Sequence, residues 1–308
     1  MSASLYIITV LIWGTTWLAI YFQLGDVPVN VSVFYRFLLA AAVLLPLMWL
    51  SGRLQKTNRT DHIFMVLQGA CLFSFNFICF YNATLFISSG LVAVVFSLAT
   101  LFNAANNRLL WKEAIPQRVL IAGAVGSTGL LLLFLPELGG QQPGHWFSVD
   151  TLKGLALAVT GTYLFSLGNM ISKRHSLKGI KPITTNAYGM AYGALILACV
   201  LVLTSQPLVI DMRPQYLGAL FYLSIFGSII GFTTYLTLVA RLGANKAAYA
   251  TVMFPVVALL LSSWFEGYQW QVSSFIGLAL TMVGNGIINW GSSKREATVI
   301  ASRQIKLP

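Results

Sequence analysis

Ten apolar stretches, each about 20 residues long, leave this chain few ways to fold. They run approximately Leu5–Phe22, Val31–Leu50, Phe64–Phe86, Leu91–Trp111, Val119–Leu135, Leu152–Ser172, Thr185–Leu203, Tyr216–Val239, Ala247–Phe265 and Val272–Trp290. A helix needs about 20 mostly apolar residues to cross the roughly 30 Å hydrocarbon core of a bilayer. Almost nothing is left between the stretches for a soluble domain. Charged residues make up 9% of the 308, against about 25% in a soluble domain. The expected fold class is an all-α membrane protein with ten transmembrane helices. The opening "MSAS" has no basic n-region and no small-residue cleavage site follows, so the first stretch reads as a span and not as a signal peptide.

The formal charge of +11 invites a nucleic-acid reading, but topology explains it better. With the N-terminus in the cytoplasm, the inner loops and the C-terminal tail hold 16 of the 19 Lys and Arg residues. The outer loops hold Lys153 and Arg213, and Arg36 is the remaining one. That asymmetry is a strong positive-inside signal. Trp49, Trp111 and Trp290 fall at inner ends and Trp146, Trp264 and Trp270 at outer ends, as interfacial belts do. Both termini are expected in the cytoplasm of a multi-pass inner-membrane protein, with the lipid bilayer and a small molecule as partners and no nucleic acid. Cys71, Cys79 and Cys199 all fall inside spans, where a thiol behaves as a small apolar residue. No disulfide, metal or cofactor is expected.

The chain also repeats itself. The segment from Tyr81, "YNATLFISSGLVAVVFSLATLF", can be laid on the segment from Tyr235, "YLTLVARLGANKAAYATVMFPVV", so that Tyr81 meets Tyr235 and Gly123 meets Gly277. Glu113 then meets Glu266 within one residue, and "WGTTW" in the first span is echoed by "TGTYL" in the sixth. A unit of five helices is odd-numbered, so the second copy enters the membrane upside down. Such inverted repeats build a site near the midplane, with access alternating as the halves rock. The expected organisation is a first repeat over residues 1–135, a Gly- and Pro-rich linker over 136–150, a second repeat over 151–291 and a basic cytoplasmic tail over 292–308.

These features carry a resemblance. "IWGTTW", the proline and arginine of "PVNVSVFYRFLLAA", and the segments "SLATLF…LLWKE" and "VMFPVVALLL…WFEG" resemble the drug/metabolite transporter superfamily in its EamA-like branch. "GAVGSTGLLLL" and "GLALTMVGNGI" look like the Gly-bearing last helix of each of its repeats. The resemblance covers nearly the whole chain, and it implies a ten-helix secondary transporter, usually an exporter of metabolites, amino acids or drugs. One departure is Thr100, which stands where the family often has proline; Pro255 keeps the proline in the second copy.

The chemistry the spans offer is narrow. There is no GxxxxGK loop for ATP. His62, His145 and His175 are expected in loops, which argues against an intramembrane metal or histidine centre, and no enzyme is expected. No Asp or Glu lies deep in a span, whereas drug–proton antiporters need an embedded carboxylate. Glu113 and Glu266 read as helix-end residues that cap or pair at the interface.

Arg36 is the exception. It lies seven residues, about 10 Å, below the outer end of its helix, where a charge costs about 2.5–3.5 kcal/mol on insertion scales. Three readings stay open. The side chain snorkels or bonds a neighbouring helix end, it pairs with Asp26 or Glu266, or it faces a central cavity and attracts an anion. Trp13 and Trp17, four apart on one helix face, either pack or line that cavity. Asn76, Tyr81, Thr100, Asn103 and Tyr163 complete the candidate substrate-binding set. Gly154, Gly161 and Gly168 form a stripe for close helix contact, and Pro255 is the candidate hinge. The sequence thus points to an exporter of small amphipathic metabolites such as amino acids, with protons or substrate exchange as the candidate coupling. Multidrug efflux and a non-transporting scaffold are the rivals.

Overall fold

A computed structural model describes residues 2–112, 114–115, 117–138, 149–242, 250–284 and 286–287. Among them the chain is all-helical, and ten apolar helices succeed one another. These are α1 (Ser2–Tyr21), α2 (Val29–Leu50), α3 (Arg59–Ala83), α4 (Ser89–Trp111) and α5 (Gln117–Leu138). They are followed by α6 (Val149–Leu177), α7 (Pro182–Leu203), α8 (Pro214–Arg241), α9 (Ala250–Phe265) and α10 (Val272–Gly284). The first eight are long and apolar enough to cross a membrane, and α9 and α10 are shorter over their described residues. The order matches the ten expected spans. Most of the linker and tail, with Glu113, His145, Trp146 and Trp290, lie outside the described residues.

Local chemistry sets the helix ends. The Asn58 side chain accepts from the Asp61 N–H at 2.9 Å and caps α3. Pro182 and Pro214 sit in the first turns of α7 and α8, where a missing N–H costs nothing. Glu266 reaches back from the end of α9 to the start of α4: its Oε2 accepts from the Ser89 N–H at 2.8 Å, and the Ser89 hydroxyl donates to Oε1. The Ser262 hydroxyl donates to the same carboxylate at 2.7 Å. A carboxylate on the unpaired N–H groups of a helix start is favourable in hydrogen bonding and in dipole alike.

Two histidines depart from expectation. His62 stands in the first turn of α3, bridging Thr57 at 3.0 Å and the Tyr192 hydroxyl at 2.9 Å. His175 is buried within α6. Hydropathy marks where a helix stops being apolar, whereas the helix continues as long as its hydrogen bonds have partners. α6 therefore runs on past Ser172, with Lys173 donating to Asn107 at 2.8 Å and Arg174 pairing with Asp61 at 3.3 Å.

α2 packs along α7, α1 against α8 and α9, and α6 against α3 and α4. Each of these pairings recurs when every helix is replaced by the one five places along. Glycines bring the backbones together. A Cβ on Gly161 of α6 would stand 2.7 Å from the Phe80 ring and 3.0 Å from the Asn76 carbonyl of α3, and Gly129 of α5 abuts the backbone of Gly277 in α10. Large apolar side chains such as Leu11, Leu47 and Val202 are exposed on the outer surface of the bundle, as a lipid-facing band requires.

Candidate functional site

Three helices are irregular at mid-length, and all three line one place. α3 breaks at Ser74 (φ −139°, ψ −81°), whose hydroxyl donates to the carbonyls of Gly69 and Ala70 at 3.2 and 3.0 Å. α4 breaks after Phe96, where the Ser97 hydroxyl donates back to the Val94 carbonyl at 2.6 Å. α8 is wound as a π-helix over Leu223–Ile230, and such stretches often mark functional sites. α9, by contrast, runs unbroken through Pro255. α4 is thus interrupted beside Thr100 with no proline there, because serine back-bonding can bend a helix without one.

Between these helices lies a cavity of about 30 Å³, walled by Trp13, Trp17, Phe77, Phe80, Phe96 and Phe254, among others, with Thr16, Arg36 and Asn76 as its polar members. Its depth is consistent from helix to helix. Arg36 is seven residues from Val29, Asn76 seven from Ala83 and Phe96 seven from Ser89, all same-side ends if each helix crosses once.

Arg36 is 1% exposed, so it does not snorkel to the interface. Its Nε donates to the Ser228 hydroxyl at 3.0 Å, and its guanidinium carbon lies 4.3 Å from the centre of the Phe77 ring. Among the described residues it makes no ion pair, so of the three readings the pairing with Asp26 or Glu266 is not the one the structure shows. Asp26 lies in the loop between α1 and α2, and Glu266 at the end of α9 is engaged with α4. Arg36 Nη1 is buried without a hydrogen-bond partner.

The other candidates divide. Trp13 is a wall: its Nε1 donates to the Gly227 carbonyl, exposed by the π-helix, at 3.1 Å. Its ring meets Phe232 at 4.9 Å and Phe254 at 5.7 Å. Trp17 stacks edge-on against Phe80 at 5.4 Å, and its Nε1 has no partner. The Asn76 carbonyl oxygen accepts from the N–H of Phe77 at 2.8 Å, satisfying a donor freed by the break at Ser74. Its amide nitrogen is left unpartnered.

Tyr81 is buried beside the guanidinium, and its hydroxyl donates to Gln23 at 2.7 Å. Asn103 lies in a separate polar layer, accepting from Asn169 at 3.4 Å, while Asn169 also donates to the Tyr235 hydroxyl at 3.2 Å. Thr100 donates to the Ser97 carbonyl at 3.1 Å, at the break itself. Tyr163 does not belong to the site. It is 40% exposed, against Phe102 on the lipid-facing side of α6, because its position on the helix points it away from the Gly161 face. The sequence reading missed Thr16, Phe77, Phe80 and Ser228. Phe73, Phe77 and Phe80 at i, i+4 and i+7 were a legible aromatic stripe, whereas nothing in the sequence announces the π-helix that delivers Ser228.

A model of the EamA-like transporter family matches residues 1–135 and again residues 152–290. The chain belongs to the EamA-like transporter family. It is 24% identical over 293 residues to Protein PagO of Salmonella typhimurium, covering 92% of this chain and 93% of that one. It is 27% identical over 297 residues to the uncharacterized inner membrane transporter YedA of Escherichia coli K12, covering 90% and 88%. To the uncharacterized transporter YyaM of Bacillus subtilis it is 24% identical over 282 residues, covering 88% of each. A protein of known crystal structure superposes with a TM-score of 0.69 at 18% identity over 99% of both chains, a likeness of fold. This EamA-like protein is a multi-pass membrane transporter, and the aromatic cavity around Arg36 is its candidate binding site.

Proposed function

We propose that this transporter exports small amphipathic metabolites bearing a carboxylate, amino acids among them, by alternating access between two inverted repeats over residues 1–135 and 151–291. One observation carries the reading. A permanently charged guanidinium lies fully buried on the cavity with one nitrogen unpartnered and, among the described residues, no carboxylate paired with it. Breaking a buried charge pair costs about 3–5 kcal/mol, so an anionic substrate gains much of what the missing partner would supply. Among the described residues the cavity lining includes no carboxylate of the kind a cationic drug would need.

The cavity has room for about two waters, less than any amino acid needs. The cavity must therefore widen to take such a substrate, and alternating access has the halves part to load it. The irregular stretches of α3, α4 and α8 are where helices lacking regular hydrogen bonds bend most easily. Contacts between the halves, such as Thr9 with Thr234 at 2.9 Å and Asn106 with Ser166 at 2.9 Å, are the ones that would open. The positive-inside asymmetry supports cytoplasmic termini in the inner membrane.

Thermal stabilisation of purified protein by amino acids, other carboxylates and cationic drugs tests the reading, with Arg36→Gln beside wild type. Carboxylates are expected to raise the melting temperature of wild type, and Arg36→Gln is expected to fold but lose that shift. If Arg36→Gln responds as wild type does, or cations alone stabilise, the carboxylate reading falls and multidrug efflux replaces it.

A further inference from the structure

The polar atoms of the cavity are of one kind. Among the described residues, each buried side-chain group there with no hydrogen-bond partner is a donor: Arg36 Nη1, Trp17 Nε1 and Asn76 Nδ2. The acceptors that might have balanced them are used. The Asn76 carbonyl oxygen holds the Phe77 N–H, and the Thr16 hydroxyl donates to the Trp13 carbonyl at 2.8 Å, leaving its oxygen as the single weak acceptor. The Trp13 N–H is spent on Gly227 and the Arg36 Nε on Ser228. Apart from Ile20, the other lining residues are aromatic.

Three orphaned donors, one of them charged, fit a group that only accepts. A carboxylate offers two oxygens with about four lone-pair sites, and hydrogen bonds to it are the strong, charge-assisted kind. An α-ammonium on the same molecule would meet the opposite environment. It carries three donors and would find one hydroxyl oxygen, no carboxylate and a guanidinium a few ångströms away, in surroundings too apolar to screen the repulsion. Aromatic faces offer partial compensation, but the Phe77 face is already occupied by Arg36.

Resting on the carboxylate reading above, we infer that the site selects monocarboxylates with an apolar, ring-sized body and no amino group, in preference to zwitterionic amino acids. The amino acids that the family resemblance suggests become the poorer substrates of this chain. The discrimination lies in Asn76 and Trp17 as much as in Arg36. Arg36 supplies charge; the other two supply donors where an amino-acid site would need an acceptor.

Three probes with one body test it: 3-phenylpropanoate, L-phenylalanine and phenethylamine, in counterflow by the full chain in proteoliposomes. Saturable exchange of labelled 3-phenylpropanoate is expected, with phenylalanine competing only at about tenfold higher concentration and phenethylamine not at all. Phenylalanine competing equally or better would overturn the inference and leave the carboxylate carrier standing. Exchange of phenethylamine alone, or of none of the three, would overturn both. Trp17→Phe keeps the ring and removes the N–H; about a tenfold loss of 3-phenylpropanoate affinity is expected, the weight of one hydrogen bond to a charged group. Wild-type affinity in a Trp17→Phe protein with an unchanged melting temperature would overturn the role of Trp17 as a donor.

Discussion

At the scale of single residues, depth along a helix and direction around it are separate facts. Arg36 and Asn76 share a depth, and with Trp17 they line one cavity. Tyr163 was picked on depth alone and points to lipid. Tyr163→Ala is accordingly expected to leave counterflow within about twofold of wild type, while Arg36→Gln abolishes the carboxylate response. A tenfold loss in Tyr163→Ala at unchanged melting temperature would put that side chain on the transport route after all. The two histidines carry the same lesson. Both lie outside the apolar stretches, yet both are helical, since a helix end is decided by hydrogen-bond partners as well as by hydropathy.

At the scale of elements, the glycine stripe of α6 is a packing surface against α3. Gly161→Ala would force a Cβ to within 2.7 Å of the Phe80 ring and 3.0 Å of the Asn76 carbonyl. Overpacking of this kind costs about 1–3 kcal/mol, and here it also pushes on two residues of the cavity wall. The expected result is a lower melting temperature together with weaker substrate stabilisation. Gly218→Ala in the exposed first turns of α8, where a Cβ meets nothing within 4 Å, is the matched control. It is expected to be neutral or to gain up to about 1 kcal/mol from helix propensity. Equal effects of the two substitutions would show that close approach at Gly161 carries no weight.

At the scale of the whole molecule, two expectations can be measured. The first is topology. In a background lacking Cys71, Cys79 and Cys199, a thiol at Ser51 should be shielded from a membrane-impermeant maleimide in intact cells, and one at Leu208 should react. The reverse pattern would invert the orientation argued from the basic loops. The second is motion. Thr9 and Thr234 touch across the two halves at 2.9 Å, on the expected cytoplasmic side of the cavity. A Thr9→Cys/Thr234→Cys pair, once oxidised, should stop counterflow, and a reductant should restore it. Undiminished exchange by the cross-linked protein would rule out parting of α1 from α8 as a step of the cycle.

The fold was largely legible before the structure. Ten hydrophobic stretches, their charge asymmetry and the repeat from Tyr81 to Tyr235 are one-dimensional patterns, imposed by a solvent that acts on every residue alike. Arg36 was legible as an anomaly for the same reason, because a charge in lipid is expensive wherever it points. What the charge faces was not legible. Whether Arg36 meets Glu266, a neighbouring helix end or a cavity depends on how α2 is rotated against α8, and that rotation is set by many weak contacts between residues about 200 apart in the chain. The breaks at Ser74 and Ser97 and the π-helical stretch before Gly231 were likewise unreadable, since serine and glycine are common in straight membrane helices. They persist here because the serine hydroxyls and the Trp13 N–H bond the carbonyls at these irregular stretches. The sequence by itself therefore determined how many times the chain crosses the membrane and that one charge is stranded within it. Only tertiary packing decided that three donors without a partner among the described residues line that charge's cavity.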